Sequence, residues 1–244
     1  NKIRSFQMKI VILAGGRGSR ISYYSERIPK PMIKIGNIPM LTHIMRYFMH
    51  YGYDDFIIAA GYKKKIISNF YKNSNEFKKL RIFNTGLNTM TGGRILKLKK
   101  ILKKEKNFFL TYGDGISNIN LNNLEKFHKD KNKIATVSAV RPPVKFGEIS
   151  IGKNNLVKSF IEKPQLNSGW INGGFFVLNN NVFDYIKDST TVFEREPLAS
   201  LAKKKQLNSF THKGYWRCMD NLNEKNQLEQ IYKEFRSIWK NKKI

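Results

Sequence analysis

Two cations and a glycine loop lie close together near the start of this sequence. The run Lys9-Ile10-Val11-Ile12-Leu13-Ala14 passes into Gly15-Gly16-Arg17-Gly18-Ser19-Arg20, and Lys30 follows between Pro29 and Pro31. Glycines at 15, 16 and 18 can take positive φ and let phosphate oxygens approach backbone N–H groups. A helix starting near Ser19 would add its positive end to the same anion site. Ser19 could cap that helix or bond a phosphate oxygen. A strand that delivers a backbone cradle, Arg20 and Lys30 to one place suits a ligand with several phosphates. Two familiar phosphate loops do not fit. The P-loop needs Lys-Ser or Lys-Thr after its last glycine, and Ser19-Arg20 stands there; the dinucleotide fingerprint needs a glycine where Ile21 stands. The competing reading is an ordinary glycine turn, and Arg20 with Pro29-Lys30-Pro31 weighs against it.

Two aspartates complete the set. Asp114 sits between Gly113 and Gly115 after an apolar run, and Asp220 follows Trp216-Arg217-Cys218-Met219. A carboxylate at a strand end is a natural Mg²⁺ ligand, because Mg²⁺ takes one or two carboxylates together with phosphate oxygens and water. Either aspartate taken singly also reads as a turn or helix cap. The histidines at 43, 50, 128 and 212 lack metal spacing and read as structural. The single cysteine, Cys218, excludes an internal disulfide and a cysteine metal cage.

The elements that would carry these residues alternate. Residues 9–14 read as a buried strand. Residues 40–51 carry Leu41, Ile44, Met45, Phe48 and Met49 at helical spacing. Strands follow at 56–60, 80–84, 107–112 and 134–140, with helices at 63–73, 94–104 and 120–129 between them. Strands separated by helices imply an α/β fold with a mostly parallel sheet, in which ligands bind beyond the carboxyl ends of the strands. Gly15 and Asp114 lie just past two such ends. From about residue 141 the pattern changes to mixed sheet. Residues 146–151 and 156–161 form a hairpin around Lys153-Asn154-Asn155, and 175–178 form another strand. The tail from Asn221 reads as a helix with Leu228, Ile231, Phe235 and Ile238 on one face, a stripe for packing or for a homo-oligomer contact.

The 244 residues are enough for a sizeable core. Residues 1–7, before Met8, read as a leader or expression remnant, and 8–244 as one domain: 8–140 mainly for nucleotide, 141–220 mainly for an acceptor, 221–244 the final helix. Neither an apolar membrane span nor a signal core is visible, which gives the expectation of a cytoplasmic protein without a membrane partner. The 45 Lys and Arg against 18 Asp and Glu give a net charge of +27. Such a field attracts polyanions, nucleic acid included. The lysines are spread along the whole chain, however, and no nucleic-acid motif accompanies them. A basic nucleic-acid-binding protein remains the reading of another class; ordered aspartates among the cations argue against it.

Leu13–Arg20 with Pro29-Lys30-Pro31-Met32 resembles the signature of the sugar-1-phosphate nucleotidyltransferases. Thr89–Arg94, Leu110–Gly115, Phe160–Pro164, Ile171–Val177, Glu194–Leu198 and Gly214–Asp220 narrow the likeness to the glucose-1-phosphate cytidylyltransferase branch, from Met8 to about Leu228. The resemblance implies a Rossmann-like, mostly parallel sheet flanked by helices with a mixed-sheet acceptor half, the nucleotide-diphospho-sugar transferase fold. It implies CTP plus a sugar 1-phosphate giving CDP-sugar and pyrophosphate, in surface-polysaccharide biosynthesis. It assigns Leu13, Ala14, Gly15, Gly16, Gly18, Ser19, Arg20 and Lys30 to the nucleotide, with Thr91, Gly92, Gly93, Arg94, Thr111 and Gly113. It makes Asp114 and Asp220 the Mg²⁺ ligands, catalytic together with Arg20 and Lys30. It places Lys163, Asn172, Gly173 and Glu196 at the acceptor. Only about a dozen residues connect the helix at 63–73 to Thr85-Gly86, where the family carries a longer insert. A small non-sugar phosphate, of phosphoramide or choline type, is therefore the alternative acceptor.

Overall fold

The computed structural model describes residues 8–142, 148–161 and 169–232. The first apolar run forms β1 (Ile10–Ala14), with every residue buried. In chain order there follow α1 (Met40–His50), β2 (Asp55–Ala60), α2 (Lys64–Tyr71), β3 (Lys79–Asn84), α3 (Thr91–Lys97), β4 (Asn107–Tyr112), β5 (Gly115–Ser117), α4 (Leu121–Lys131), β6 (Ala135–Val140), β7 (Glu148–Ile151), β8 (Val157–Ile161), β9 (Ile171–Asn179), α5 (Glu196–Lys203), β10 (Leu207–His212), β11 (Trp216–Cys218) and α6 (Leu222–Gln230).

Seven strands form one sheet in the order β10-β6-β9-β4-β1-β2-β3. Every neighbouring pair is parallel except those made by β9, which runs antiparallel to β4 and β6. The continuous apolar character of β1 and β2 follows from burial on both faces. Ile10, Ile12 and Ala14 point into one core with Leu41, Ile44 and Phe48 of α1. Val11 and Leu13 point into the other, with Ile95 of α3 and Leu201 of α5. No helix among the described residues is long and apolar enough to cross a membrane.

Two expectations are corrected, and two elements were not foreseen. The helix expected over 94–104 begins at Thr91 and breaks at Leu98 (φ −93, ψ 0), with a separate turn over Lys99–Leu102. The strand expected over 175–178 starts at Ile171. Gly174 at φ +78 and a register shift between Asn172 and Phe176 bend β9 without ending its pairing to β6. Strand β10 and helix α5 had no clear signal: Leu-Asn-Ser-Phe-Thr-His is a half-buried edge strand with no apolar run. The tail helix is present as α6, started by the Asn221 side chain accepting from the Glu224 N–H. Leu228 is buried and Ile231 packs against the core, while Phe235 and Ile238 lie outside the described residues.

His128 is structural, as its spacing implies. It is 2% exposed and ties α4 to the sheet through Thr136 Oγ1 (2.9 Å) and Asn107 Oδ1 (3.3 Å). Burial pushes its pKa down to about 4. The unfolded chain therefore takes up the proton first, and stability is full above the unfolded value near 6.5 and falls as pH drops toward 4. The limb is worth about 3 kcal/mol. Denaturant unfolding between pH 7 and 4.5 should show it, and His128→Gln should flatten it; an unchanged slope would contradict this account.

Candidate active site

The centre of the site is Lys30. It opens a short helical turn, Lys30–Met32, whose entry is held extended by Pro29. Pro31 packs under Gly113: a Cβ on that glycine would lie 2.7 Å from Pro31 Cγ. Lys30 is 8% exposed, and its Nζ stands 2.6 Å from Asp114 Oδ2 and 2.6 Å from Asp220 Oδ1. Burial alone would depress this ammonium, but the two carboxylates outweigh it and raise the pKa. On the other side, burial opposes ionisation of Asp220, and the Lys30 bond and charge, with Arg20, override it and hold the carboxyl below its usual range. Arg20 Nη1 donates to Asp220 Oδ2 at 2.8 Å from a largely exposed side chain.

The two aspartates meet because β5 and β11 pair antiparallel. Cys218 lies opposite Gly115, and the Met219 N–H donates to the Asp114 carbonyl at 2.9 Å. Both carboxylates thus share the Lys30 ammonium, and the two oxygens that it bonds are no farther apart than twice the Lys30 distance. One cation between two carboxylates is also the donor set that Mg²⁺ takes when phosphate oxygens and water complete its shell. The residues fit that ion.

The glycine loop is built differently from its expected form. Gly18 alone of its glycines has positive φ, +66. Gly15 is needed for space: a Cβ there would fall 2.1 Å from Arg94 Nη1. Arg94 is 4% exposed and braces the loop from beneath. Its guanidinium donates to Gly15 O (2.8 Å), Gly86 O (2.8 Å) and Thr85 Oγ1 (2.7 Å). Arg94→Met should leave these acceptors unmet and lower unfolding free energy by about 1–3 kcal/mol. Nucleotide affinity should fall with it; calorimetry and denaturant titration read both, and an unchanged pair would refute the brace.

Two clefts open beside Asp114. The first is lined by Leu13, Ala14, Gly15, Gly16, Gly18, Arg20, Lys30, Thr91, Arg94 and Gly113, together with Pro31, Thr89, Met90, Tyr112 and Asp114. Ser19 is exposed at the start of a three-residue turn and lines neither cleft. Gly92 and Gly93 face away from it. Their N–H groups donate to Thr191 O, and any Cβ would strike the backbone of Ser189 or Thr191. Thr111 is buried and borders the second cleft instead.

That second cleft shares Arg20, Tyr112 and Asp114 with the first and adds Asn172, Gly173, Glu194, Trp216 and Asp220. Trp216 Nε1 donates to Gly173 O at 2.7 Å and fixes this wall. Glu196, expected here, is exposed at the start of α5, where Pro197 turns the chain into the helix. Of the two glutamates it is Glu194 that lines the cleft, accepting from Tyr112 and Thr91 hydroxyls at 2.5 Å each. Burial and then Glu194 push the Tyr112 hydroxyl up, so it stays a donor. Cys218 is pushed up to about 12, first by burial, and remains a neutral thiol. Lys163 lies outside the described residues. Sequence reasoning missed Glu194, Tyr112 and Trp216; only the Glu-x-Glu-Pro spacing hinted at the first.

Residues 9–223 match the family model described as nucleotidyl transferase. The chain belongs to the nucleotidyl transferase family. This nucleotidyl transferase is 38% identical over 255 aligned positions to the glucose-1-phosphate cytidylyltransferase of Salmonella typhimurium, covering 96% of this chain and 99% of the relative. The probable glucose-1-phosphate cytidylyltransferase of Bacillus subtilis matches at the same identity and coverage. That alignment is longer than this chain, so the relative carries residues that this one lacks. HddC from Yersinia pseudotuberculosis shares the fold, with a TM-score of 0.74 at 24% identity over 93% of this chain and all of its own.

Proposed function

We propose that this nucleotidyltransferase moves CMP from CTP to a sugar 1-phosphate of glucose 1-phosphate type, releasing pyrophosphate. The observation that carries the reading is Lys30 Nζ between Asp114 and Asp220 at the junction of two clefts. The first cleft takes the nucleotide on the loop Leu13–Arg20, with half-exposed Met90 beside it. The second takes the acceptor, with Glu194, Asn172 and the Gly173 backbone as partners for its hydroxyls.

The reaction needs no covalent enzyme intermediate. An acceptor phosphate oxygen bonds to the α-phosphorus as the bond to pyrophosphate breaks, in line. The protein's part is positioning and neutralisation of charge. Lys30 leaves the aspartates for the triphosphate, and Arg20 faces the leaving pyrophosphate. Asp114 and Asp220 would hold Mg²⁺, which supplies charge neutralisation at the α-phosphate. Tyr112, kept protonated, and Thr91 hold Glu194 in place.

Selection of cytosine follows if a pocket carbonyl accepts from the N4 amino group, since uracil presents an acceptor there. Pyrophosphate release with CTP, UTP, dTTP, ATP and GTP tests the nucleotide. At least about fivefold preference for CTP is expected, the low end of leaving such a carbonyl unpaired at about 1–3 kcal/mol; equal turnover of UTP refutes it. A panel of sugar 1-phosphates against choline- and phosphoramide-type phosphates tests the acceptor, and faster turnover of a non-sugar phosphate overturns the sugar.

A further inference from the structure

Many of the lysines that are scattered along the sequence come together in space. Six of the seven strands in the main sheet are parallel. The carboxyl ends of β1 and β4 open on the two clefts, so the amino ends of all six lie at the opposite edge. Four helix-to-strand junctions, residues 72–79, 103–106, 129–133 and 203–205, lead into β3, β4, β6 and β10 at that edge. They hold 12 lysines against Glu76, Glu105 and Asp130, and all of those lysines except Lys133 are exposed. Backbone bonds link three of the junctions side by side. The Asn180 N–H donates to Lys106 O (3.2 Å), the Asn179 N–H to Ile134 O (2.7 Å) and the Ala135 N–H to Gln206 O (3.0 Å). Lys79 from the fourth junction joins Lys104, Lys106 and Lys129 around one cleft at this end. The acids nearby are engaged: Asp54 by Lys79 at 2.9 Å, Asp55 by Arg81 at 2.5 Å, Glu125 by Lys129 at 2.6 Å, and Glu105 by Lys9. Seven strands spaced by about 4.8 Å make the edge about 29 Å wide.

We propose that this edge docks on an anionic phospholipid surface, with the two clefts facing away into solution. Charge complementarity calls for a polyanion, and the side-chain types narrow it. The four junctions contain no arginine, the residue whose planar fork reads phosphates and bases. Their only aromatic, Phe77, is buried, and Phe127 and Tyr185 beside them lie under Lys131 and Lys204. No ring within the junctions is open for bases to stack on, as single-stranded nucleic acid uses. Flexible ammonium groups spread over a broad edge suit a layer of lipid phosphates, which attracts clusters of about four to eight basic residues. Such docking is peripheral and needs no spanning helix. The expectation of no membrane partner rested on the lack of an apolar span and does not extend to it. Duplex DNA, held through its backbone alone, is the competitor that the test separates.

Cosedimentation of the full chain with vesicles tests the dock, and it reads binding alone, apart from the identity of the substrates. Vesicles of phosphatidylcholine mixed with phosphatidylglycerol should bind the protein at low salt and release it at high salt. Vesicles of phosphatidylcholine alone should not bind it. Lys78→Glu combined with Lys104→Glu should weaken binding at least about tenfold. Lys65→Glu combined with Lys213→Glu removes the same charge from exposed positions at the cleft end, one in the first turn of α2 and one just after β10. That control should weaken binding less than about threefold. Hydrogen exchange in the unaltered protein decides the matter if a variant misfolds: the mixed vesicles should slow the 103–106 and 203–205 amides and leave those of Gly15–Gly18 unchanged. Failure to bind the mixed vesicles, equal binding to phosphatidylcholine, or equal weakening by the two double variants would each overturn the proposal, the last by showing that only the overall field matters. Protection of the glycine loop instead of the junctions would overturn it too. Displacement from the vesicles by duplex DNA at equal phosphate concentration would assign the edge to nucleic acid.

Discussion

Lys30→Met is expected to lower kcat/KM for CTP by about 10²–10³-fold, the usual cost of removing one preorganised charge from a phosphoryl or acyl transfer site. The lysine is buried to 8% exposure and bonded to both aspartates, so its stem is already ordered and little entropy is lost on engaging the triphosphate. The same geometry predicts an opposite effect on the metal. Without nucleotide, the ammonium occupies the position between Asp114 and Asp220. Removing it leaves two facing carboxylates with no cation between them and only the largely exposed Arg20 on Asp220, so Mn²⁺ or Mg²⁺ binding to the free protein should tighten while activity collapses. Asp220 should also lose the bond and charge of Lys30 that help hold its carboxyl below the usual range. The acid limb of the pH–rate profile should then move to higher pH. Calorimetric titration of the metal and steady-state kinetics separate the two effects. Weaker metal binding in Lys30→Met would mean that the lysine supports the ion rather than standing in its place.

Parts of this site were legible in the sequence because local rules determine them. An apolar run ending in glycines can only be a strand end and a turn, and Pro29 and Pro31 restrict the backbone around Lys30. Loop roles were less legible. Gly15 reads as a phosphate cradle, yet its missing side chain makes room for Arg94, a residue far along the chain. Gly92 and Gly93 look like pocket residues and instead let α3 pack on Ser189 and Thr191. Glu194 and Glu196 are equivalent by type, and only the turn into α5 decides which faces inward. The meeting of Asp114 with Asp220 depends on three residues of β5 pairing with three of β11. Strands so short carry no periodicity to read. Their register, rather than any local motif, sets the distance between the two carboxylates.

That register underlies the second large effect. Asp114→Asn and Asp220→Asn should each reduce turnover by about 10³-fold, the upper end for loss of one preorganised electrostatic group. Each variant should stay folded, because the Met219 N–H to Asp114 carbonyl bond and the β5–β11 ladder are backbone contacts that the exchange leaves in place. The double variant is the sharper test. If the two carboxylates serve one ion, removing the first already forfeits most of what the second contributes, and the double loss should stay near that of either single. If each acts alone, with Asp220 only anchoring Arg20 and Asp114 only capping its turn, the losses should multiply. Chelation supplies an independent arm: activity of the unaltered protein should vanish with EDTA and return with Mg²⁺, whereas the double variant should respond to neither. A multiplicative loss, or EDTA-resistant turnover in the unaltered chain, would refute a shared metal and leave the two aspartates as partners of Lys30 and Arg20.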